Sequence, residues 1–494
     1  MRQEDGTSAR NERPLRFAVI GAGMAGILAA IKLEEAGYED VVIYEKADRL
    51  GGTWRENTYP GIGCDVPSHL YRYSFEPNPD WSQRYSPGAE VQAYLERVAA
   101  KYGVTRGIHF GEELTRLVFE QGRWSLETAS GHRDVADVVI AATGVLHHPN
   151  VPELDGSETF EGALFHSARW DHDVPLDGRR VGVVGTGSTA IQIVTALIER
   201  VAKLSLFQRT AQWIMPQENP TYSDEERRAF HEHPEQMQQL YEDLSRSFSE
   251  NFSNAVVDAG SAELVRIQEL CQTNLEESVV DPELRQRLLP DYRAACKRLI
   301  LSPGFYQAIQ QPNADLVTAG IERIEAEGIR TTDGRLHELD VLVLATGFRV
   351  DRFLRPMEVI GRDGVRLDDV WAERPFAYLS LSVPRFPNLF MLNGPNGPVG
   401  NFSLIDVAER QFAYVLQLVE RLRSGEAREV CATEKAAIDL EAERVEAAKN
   451  TIWVTGCRSW YLDDRGIPSA WPWSFQRFRD EMAKPNFSAF DWRR

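Results

Sequence analysis

Two short glycine-rich loops constrain this chain more than any other feature: Gly21-Ala22-Gly23-Met24-Ala25-Gly26 and Gly185-Thr186-Gly187-Ser188-Thr189-Ala190. Each follows a short apolar run, residues 16–20 and 180–184, that reads as a buried parallel strand. Each also opens a stretch with helical spacing, residues 27–36 and 191–200. In such a strand–loop–helix unit the first glycine permits a tight turn and the second lets backbone approach a pyrophosphate. The third lets helix pack on strand, and alanine, as at Ala190, is a permitted variant there. The helix N-terminus adds free N–H groups and partial positive charge for phosphates. The predicted class is therefore α/β, with two Rossmann-like dinucleotide-binding domains.

The next strand of each unit separates the two sites. Residues 41–44 end at Glu45, where a carboxylate accepts both ribose hydroxyls of a dinucleotide. Residues 204–207 end instead at Gln208-Arg209-Thr210. A carboxylate there would repel a 2′-phosphate, whereas Arg209 can pair with one; the alternative is an ordinary surface arginine. FAD in the first site and NADPH in the second is the economical pairing.

After Glu45 come Gly51-Gly52-Thr53-Trp54, Tyr59-Pro60-Gly61, Cys64-Asp65 and the aromatic stretch 71–75. Glycines here suit a segment lying along a large flat cofactor. Trp54 reads equally as a stacking face or a core residue, and Asp65 as a turn residue. Residues 138–142 form another strand, ending Ala142-Thr143-Gly144, with His147-His148-Pro149 as an exposed exit that lacks a third ligand for a metal. Residues 340–344 end in an echo, Ala345-Thr346-Gly347.

Between 216 and 296 the polar content rises and apolar residues recur at helical spacing over 230–244 and 263–275, which predicts an inserted helical subdomain. By spacing alone, Lys297-Arg298 after it read as surface cations. The expected organisation is a flexible tail (1–14), an FAD-binding domain (15–148 and 381–494), an NADPH-binding domain (149–215 and 297–380) and the insertion (216–296). Residues 388–392 read as a strand of the returning chain, and a helix beginning near Ser403 aims its positive end across the loop between them. The stretch 457–473 reads as a lid or a packed terminus.

At 494 residues the chain exceeds a single core, and its formal net charge of -19 argues against nucleic acid and anionic membranes as partners. No apolar run reaches the ~18–20 residues of a membrane span. Five cysteines with no CxxC pair read as reduced thiols in a cytoplasmic protein, with no metal site. The missing close pair also argues against a disulfide reductase.

The residues between the two loops carry the most specific signal: Phe160, Gly162, His166, Trp170 and Asp171. They occupy all positions of the pattern F-x-G-x-x-x-H-x-x-x-W-[PD], and the chain thereby resembles the single-component flavin-dependent Baeyer–Villiger monooxygenases over about residues 15 to 480. Related N-hydroxylating monooxygenases share only the first part of that pattern. The stretch holding Gly52, Thr53, Trp54, Asp65 and Tyr71 is similar to the family's flavin-flanking segment.

The resemblance implies NADPH- and O2-dependent conversion of a ketone to an ester or lactone through a C4a-peroxyflavin. It makes Arg298 the catalytic arginine, Asp65 its partner, and Arg209 with Lys297 the 2′-phosphate clamp. Trp460 is implied to lie on a loop closing over NADP. His166 and Trp170 then read as conformational residues, since the scheme already has its cation. No obligate protein partner is implied. The rival readings are a flavin monooxygenase oxidising sulfur or nitrogen nucleophiles, and a non-catalytic flavoprotein that binds or senses.

Overall fold

A computed structural model describes residues 14–400 and 402–494, so the expected tail lies outside the described residues except for Pro14. Phe17–Ile20, Val41–Glu45, Ile108–Phe110, Val138–Ala141 and Leu389–Met391 form one parallel sheet with Phe17–Ile20 at its centre. All four residues of that central strand are buried, the mark of a parallel strand covered on both faces. The helix Leu404–Arg423 covers it with Ile405, Ala408, Phe412, Val415, Val419 and Leu422, spaced three or four apart.

The second sheet is also parallel, ordered Ala314–Val317, Lys203–Phe207, Arg180–Val184, Val341–Leu344 and Ala163–His166. The linker between the glycine loops is thus partly a strand, the edge of this sheet. Gly162 admits it: a Cβ there would lie 2.4 Å from the carbonyl oxygen of Asp340.

Three expectations need correction. Glu358–Ile360 pairs with the strand Leu114–Glu120 beside the first sheet, ahead of the expected return at residue 381. The cause is apolar: Val359, Leu367 and Trp371 fill one core with Leu117 and Trp124. The expected helix over 230–244 is split into Asp224–Glu232 and Pro234–Phe248, because Pro234 starts a new helix at its first position.

The third correction concerns the cysteines. Cys296 and Cys457, 161 positions apart, form a disulfide with their Cα atoms 6.1 Å apart. Ile452, Trp453 and Tyr461 share a core with Trp213, Leu264 and Ile267 of and around the insertion, and this packing brings the two sulfurs together. Cys64, Cys271 and Cys431 remain free and buried. Among the described residues no helix is long and apolar enough to cross a membrane, and no cluster suits a metal ion.

Candidate active site

Both glycine loops open onto one cavity of about 1500 Å³. That exceeds the usual ~300–1,000 Å³ of a small-molecule pocket. The helices Met24–Glu35 and Ser188–Leu197 start at Gly23 and Gly187, and neither start has a side-chain cap. Their first N–H groups are left for an anion. At Gly52, φ is +55° and a Cβ would lie 3.0 Å from the Cα of Gly23, so two backbones meet where the wall must stay thin. At Gly26 a Cβ would strike the carbonyl oxygen of Gly21 at 1.9 Å, which enforces the third glycine. These are the surfaces that two dinucleotides require.

Glu45, 4% exposed, accepts from the N–H of Ala22 at 2.8 Å and of Ala47 at 3.0 Å, and from Arg55 Nη1 at 3.0 Å. The loop and Arg55 thus fix the Glu45 carboxylate in place. Arg55 also pairs with Glu56, and Glu56 pairs with Arg169 of the linker. Sequence reading missed this chain of charges, which ties the first site to the linker. Trp54 settles between its two readings: it packs on the core yet lines the cavity, donating to Tyr71 Oη at 3.2 Å. Thr53 lines the cavity too.

In the second site Ser188, Arg209, Thr210 and Lys297 line the same space. Arg209 is exposed and, among the described residues, makes no ion pair with an acidic side chain. The carbonyl of Thr210 accepts from Thr186 Oγ1 at 2.8 Å, binding the strand end to the loop. Burial lowers the Lys297 pKa; Asp291 opposes that and the nearby charge of Arg209 adds to it. Arg209 and Lys297 thus bring two cations to one stretch of the cavity wall, with Asp291 near the lysine.

Where the domains meet, Arg298 donates to Asp65 Oδ2 from Nε at 3.2 Å and from Nη2 at 2.5 Å, and from Nη1 to the carbonyl of Gly400. Burial works against its charge, but Asp65 and Tyr461 outweigh burial and raise its pKa further. Arg298 therefore stays a cation at any working pH. Asp65 and Arg298 are not the turn residue and surface cation of the bare spacing. Residues 398–404 and the segment around Trp460 were pocket candidates by sequence, but the Gly400 carbonyl shared by Arg298 and Tyr461 was not foreseen, since no local motif announces it. Trp460, 38% exposed, lines the cavity on the tail segment. His147 and His148 are half-buried and line the cavity rather than forming an exposed exit.

None of Phe160, Gly162, His166, Trp170 and Asp171 lines the cavity. His166 is 5% exposed; its Nδ1 accepts from the N–H of Ala168 at 3.1 Å, so Nε2 carries the proton and donates to the carbonyl of Gly347, also 3.1 Å away. Phe160 packs in the core under the second sheet, Trp170 stands edge-on to Phe165 at 5.1 Å, and Asp171 accepts from the N–H of Asp173.

A family model described as pyridine nucleotide-disulphide oxidoreductase matches residues 18–238. Of the cysteines, only the free Cys64 lines the cavity, so the likeness to that group is one of dinucleotide architecture. An uncharacterized monooxygenase of Mycobacterium tuberculosis is 48% identical over 97% of this chain and 96% of its own. A Baeyer-Villiger monooxygenase of Streptomyces coelicolor is 39% identical over 96% of this chain and 92% of its own. This chain belongs to the Baeyer–Villiger monooxygenases. The crystal structure of cyclohexanone monooxygenase from Rhodococcus sp. Phi1 bound to NADP+ superposes with a TM-score of 0.87 at 31% identity, covering 97% of this chain and 99% of that one. Baeyer–Villiger monooxygenases depend on FAD and NADPH, and this member has a site of the right chemistry for each.

Proposed function

We propose that this Baeyer–Villiger monooxygenase converts a ketone to an ester or lactone with NADPH and O2, and that Arg298 and Asp65 carry the oxygen-insertion step. The single observation behind this is the Asp65-held arginine on the wall of a cavity that both glycine loops share. FAD, when bound and reduced by NADPH, supplies the activated oxygen. The protein's part is electrostatic. A guanidinium that never loses its proton stabilises negative charge on the oxidant and on the oxyanion that develops at the attacked carbonyl. Asp65 orients that guanidinium through the shared Oδ2.

Glu45 and the first loop support the reading of FAD at one end; Arg209 and Lys297 support a 2′-phosphate clamp at the other. Trp460 on the cavity wall supports a role in closing over NADP, and the absence of the five linker residues from that wall supports a role in domain position rather than in chemistry. The cytoplasmic placement read from the cysteines has to stand without Cys296 and Cys457, and rests on the supply of NADPH.

A panel of cyclic, linear, aromatic and steroid-like ketones, followed by NADPH consumption and by mass spectrometry for a one-oxygen gain, tests the activity. NADPH consumption with no such product for any ketone, but with sulfoxide from a sulfide, would move the enzyme to the rival class. For the residues, Arg298→Ala is expected to bind FAD and be reduced by NADPH while making no ester; a normal ester yield removes Arg298 from the mechanism.

A further inference from the structure

The segments that carry Arg298 and Trp460 start from one covalent point, since Cys296 and Cys457 immediately precede Lys297-Arg298 and Arg458-Ser459-Trp460. Neither cysteine lines the cavity, and neither does the residue that closes this arrangement, Tyr461. Its ring is 3% exposed and lies between Trp460, with centroids 4.1 Å apart, and Trp453, at 5.2 Å.

The Tyr461 hydroxyl donates to the carbonyl of Gly400 at 3.4 Å, the same oxygen that accepts from Arg298 Nη1. The hydroxyl also lies close enough to the Arg298 side chain to feel its charge. Gly400 is shaped to this contact: a Cβ there would sit 2.3 Å from the hydroxyl, and its φ is +85°. Asp65 and Gly400 thus engage three of the five N–H groups of the guanidinium, and Tyr461 holds the Gly400 carbonyl that takes one of them.

We propose that Tyr461 is a positioning residue for oxygen insertion: its hydroxyl, with the Gly400 carbonyl, sets which way the Arg298 guanidinium faces the cavity. This rests on the reading of Arg298 as the reaction's cation. Asp65 alone restrains one edge of the group, leaving rotation about the side chain's last bonds. The Gly400 carbonyl, held in turn by Tyr461 of the tail, removes that freedom. It also makes the arginine's aim depend on the tail segment that carries Trp460 being in place. The two rings flanking Tyr461 and the disulfide hold that segment.

The test is Tyr461→Phe, which keeps the ring between Trp453 and Trp460 and removes only the hydroxyl. Ester formed per NADPH consumed is measured, together with the rate constant for flavin reduction by NADPH. Coupling is expected to fall about tenfold, within the roughly hundredfold that ångström-scale misplacement costs, while flavin reduction stays within about twofold. Arg298→Lys and the double variant complete a cycle. Without a guanidinium to aim, the hydroxyl has no such work, so Tyr461→Phe adds no further loss in the lysine background.

Unchanged coupling in Tyr461→Phe, or losses that add in full in the double variant, overturns the proposal for Tyr461 and leaves Arg298 in place. Unchanged coupling in Arg298→Lys overturns the reading of Arg298, and with it the role of Tyr461. If Tyr461→Phe does not fold, Gly400→Ala replaces it in the cycle, because the added Cβ displaces the hydroxyl; the same tenfold loss is expected.

Discussion

Nε2 of His166 donates to the carbonyl of Gly347, and the same carbonyl accepts from the N–H of Asn150 at 2.8 Å. Beside it the carbonyl of His148 accepts from the N–H of Arg349 at 2.9 Å, and Thr346 Oγ1 donates to the carbonyl of Asn150 at 2.6 Å. The chain leaves the first domain at 148–150 and returns through 346–349, so the two crossings run side by side and antiparallel. The histidine of the linker pattern therefore bonds to the point where the two crossings are paired.

His166→Ala removes that bond without touching the cavity. We expect lower rates of flavin reduction and lower ester yield per NADPH together, because both need the nicotinamide domain in a defined place. His166→Gln, which keeps a donor, is expected to recover part of both. Stopped-flow reduction and product analysis measure them; if His166→Ala leaves both intact, the residue has no conformational role. Burial lowers its pKa, partly offset by the bond to Gly347. Protonation, which would place a second N–H against that of Ala168, is thereby moved to lower pH.

Arg209→Ala is expected to raise the Michaelis constant for NADPH by about tenfold to a hundredfold, the equivalent of a charged hydrogen bond of about 1.5–3 kcal/mol. The constant for NADH should move far less, since only NADPH carries the 2′-phosphate. Steady-state kinetics with both coenzymes decide it. Equal effects would end the clamp role.

Unfolding without reductant should expose three reactive thiols, those of Cys64, Cys271 and Cys431, not five. Replacing Cys296 and Cys457 together by serine is expected to lower stability by about 2–4 kcal/mol, because a long loop of the unfolded chain is no longer closed. Thiol titration and thermal unfolding provide the readings, and five thiols would show that the bond does not form.

His69 is fully buried against Tyr222 and Phe230, and neither ring nitrogen has a hydrogen-bond partner. Burial, with Arg72 adding to it, pushes its pKa down to about 4. A folded pKa below the unfolded value means that the unfolded chain takes up the proton first. The contribution of His69 is thus whole above about pH 6.5 and is lost as pH falls toward 4. Between pH 7 and pH 5 the loss is about 2 kcal/mol. In His69→Phe that part of the pH dependence should disappear, with higher stability at both pH values; denaturant titrations at the two pH values measure it. An unchanged pH dependence would mean that His69 does not stay neutral.

Much of the site was open to inference because it is locally encoded. Gly23, Gly26, Glu45 and Arg209 each lie within one strand–loop–helix unit, where spacing along the chain is spacing in space. Asp65 and Arg298 are 233 positions apart, and only family resemblance paired them before the fold did. The sharing of the Gly400 carbonyl by Arg298 and Tyr461, the contacts of Arg55 and the Cys296–Cys457 bond carried no such signal. Trp371 shows the same limit in the fold: its burial with Leu117 and Trp124 places residues 358–371 with the first domain, against the expected boundary.

By itself the sequence determined the class of fold, the two dinucleotide sites and the sign of the charge offered to each, since period, glycine position and the residue at a strand's end act over a few residues. Tertiary structure alone decided what surrounds Arg298 and what His166 holds. Those contacts join crossings, insertion and tail, and their energy comes from packing between segments that share no local pattern. The linker pattern was visible as five residues; its place at the paired crossings exists only once Gly347 lies against it.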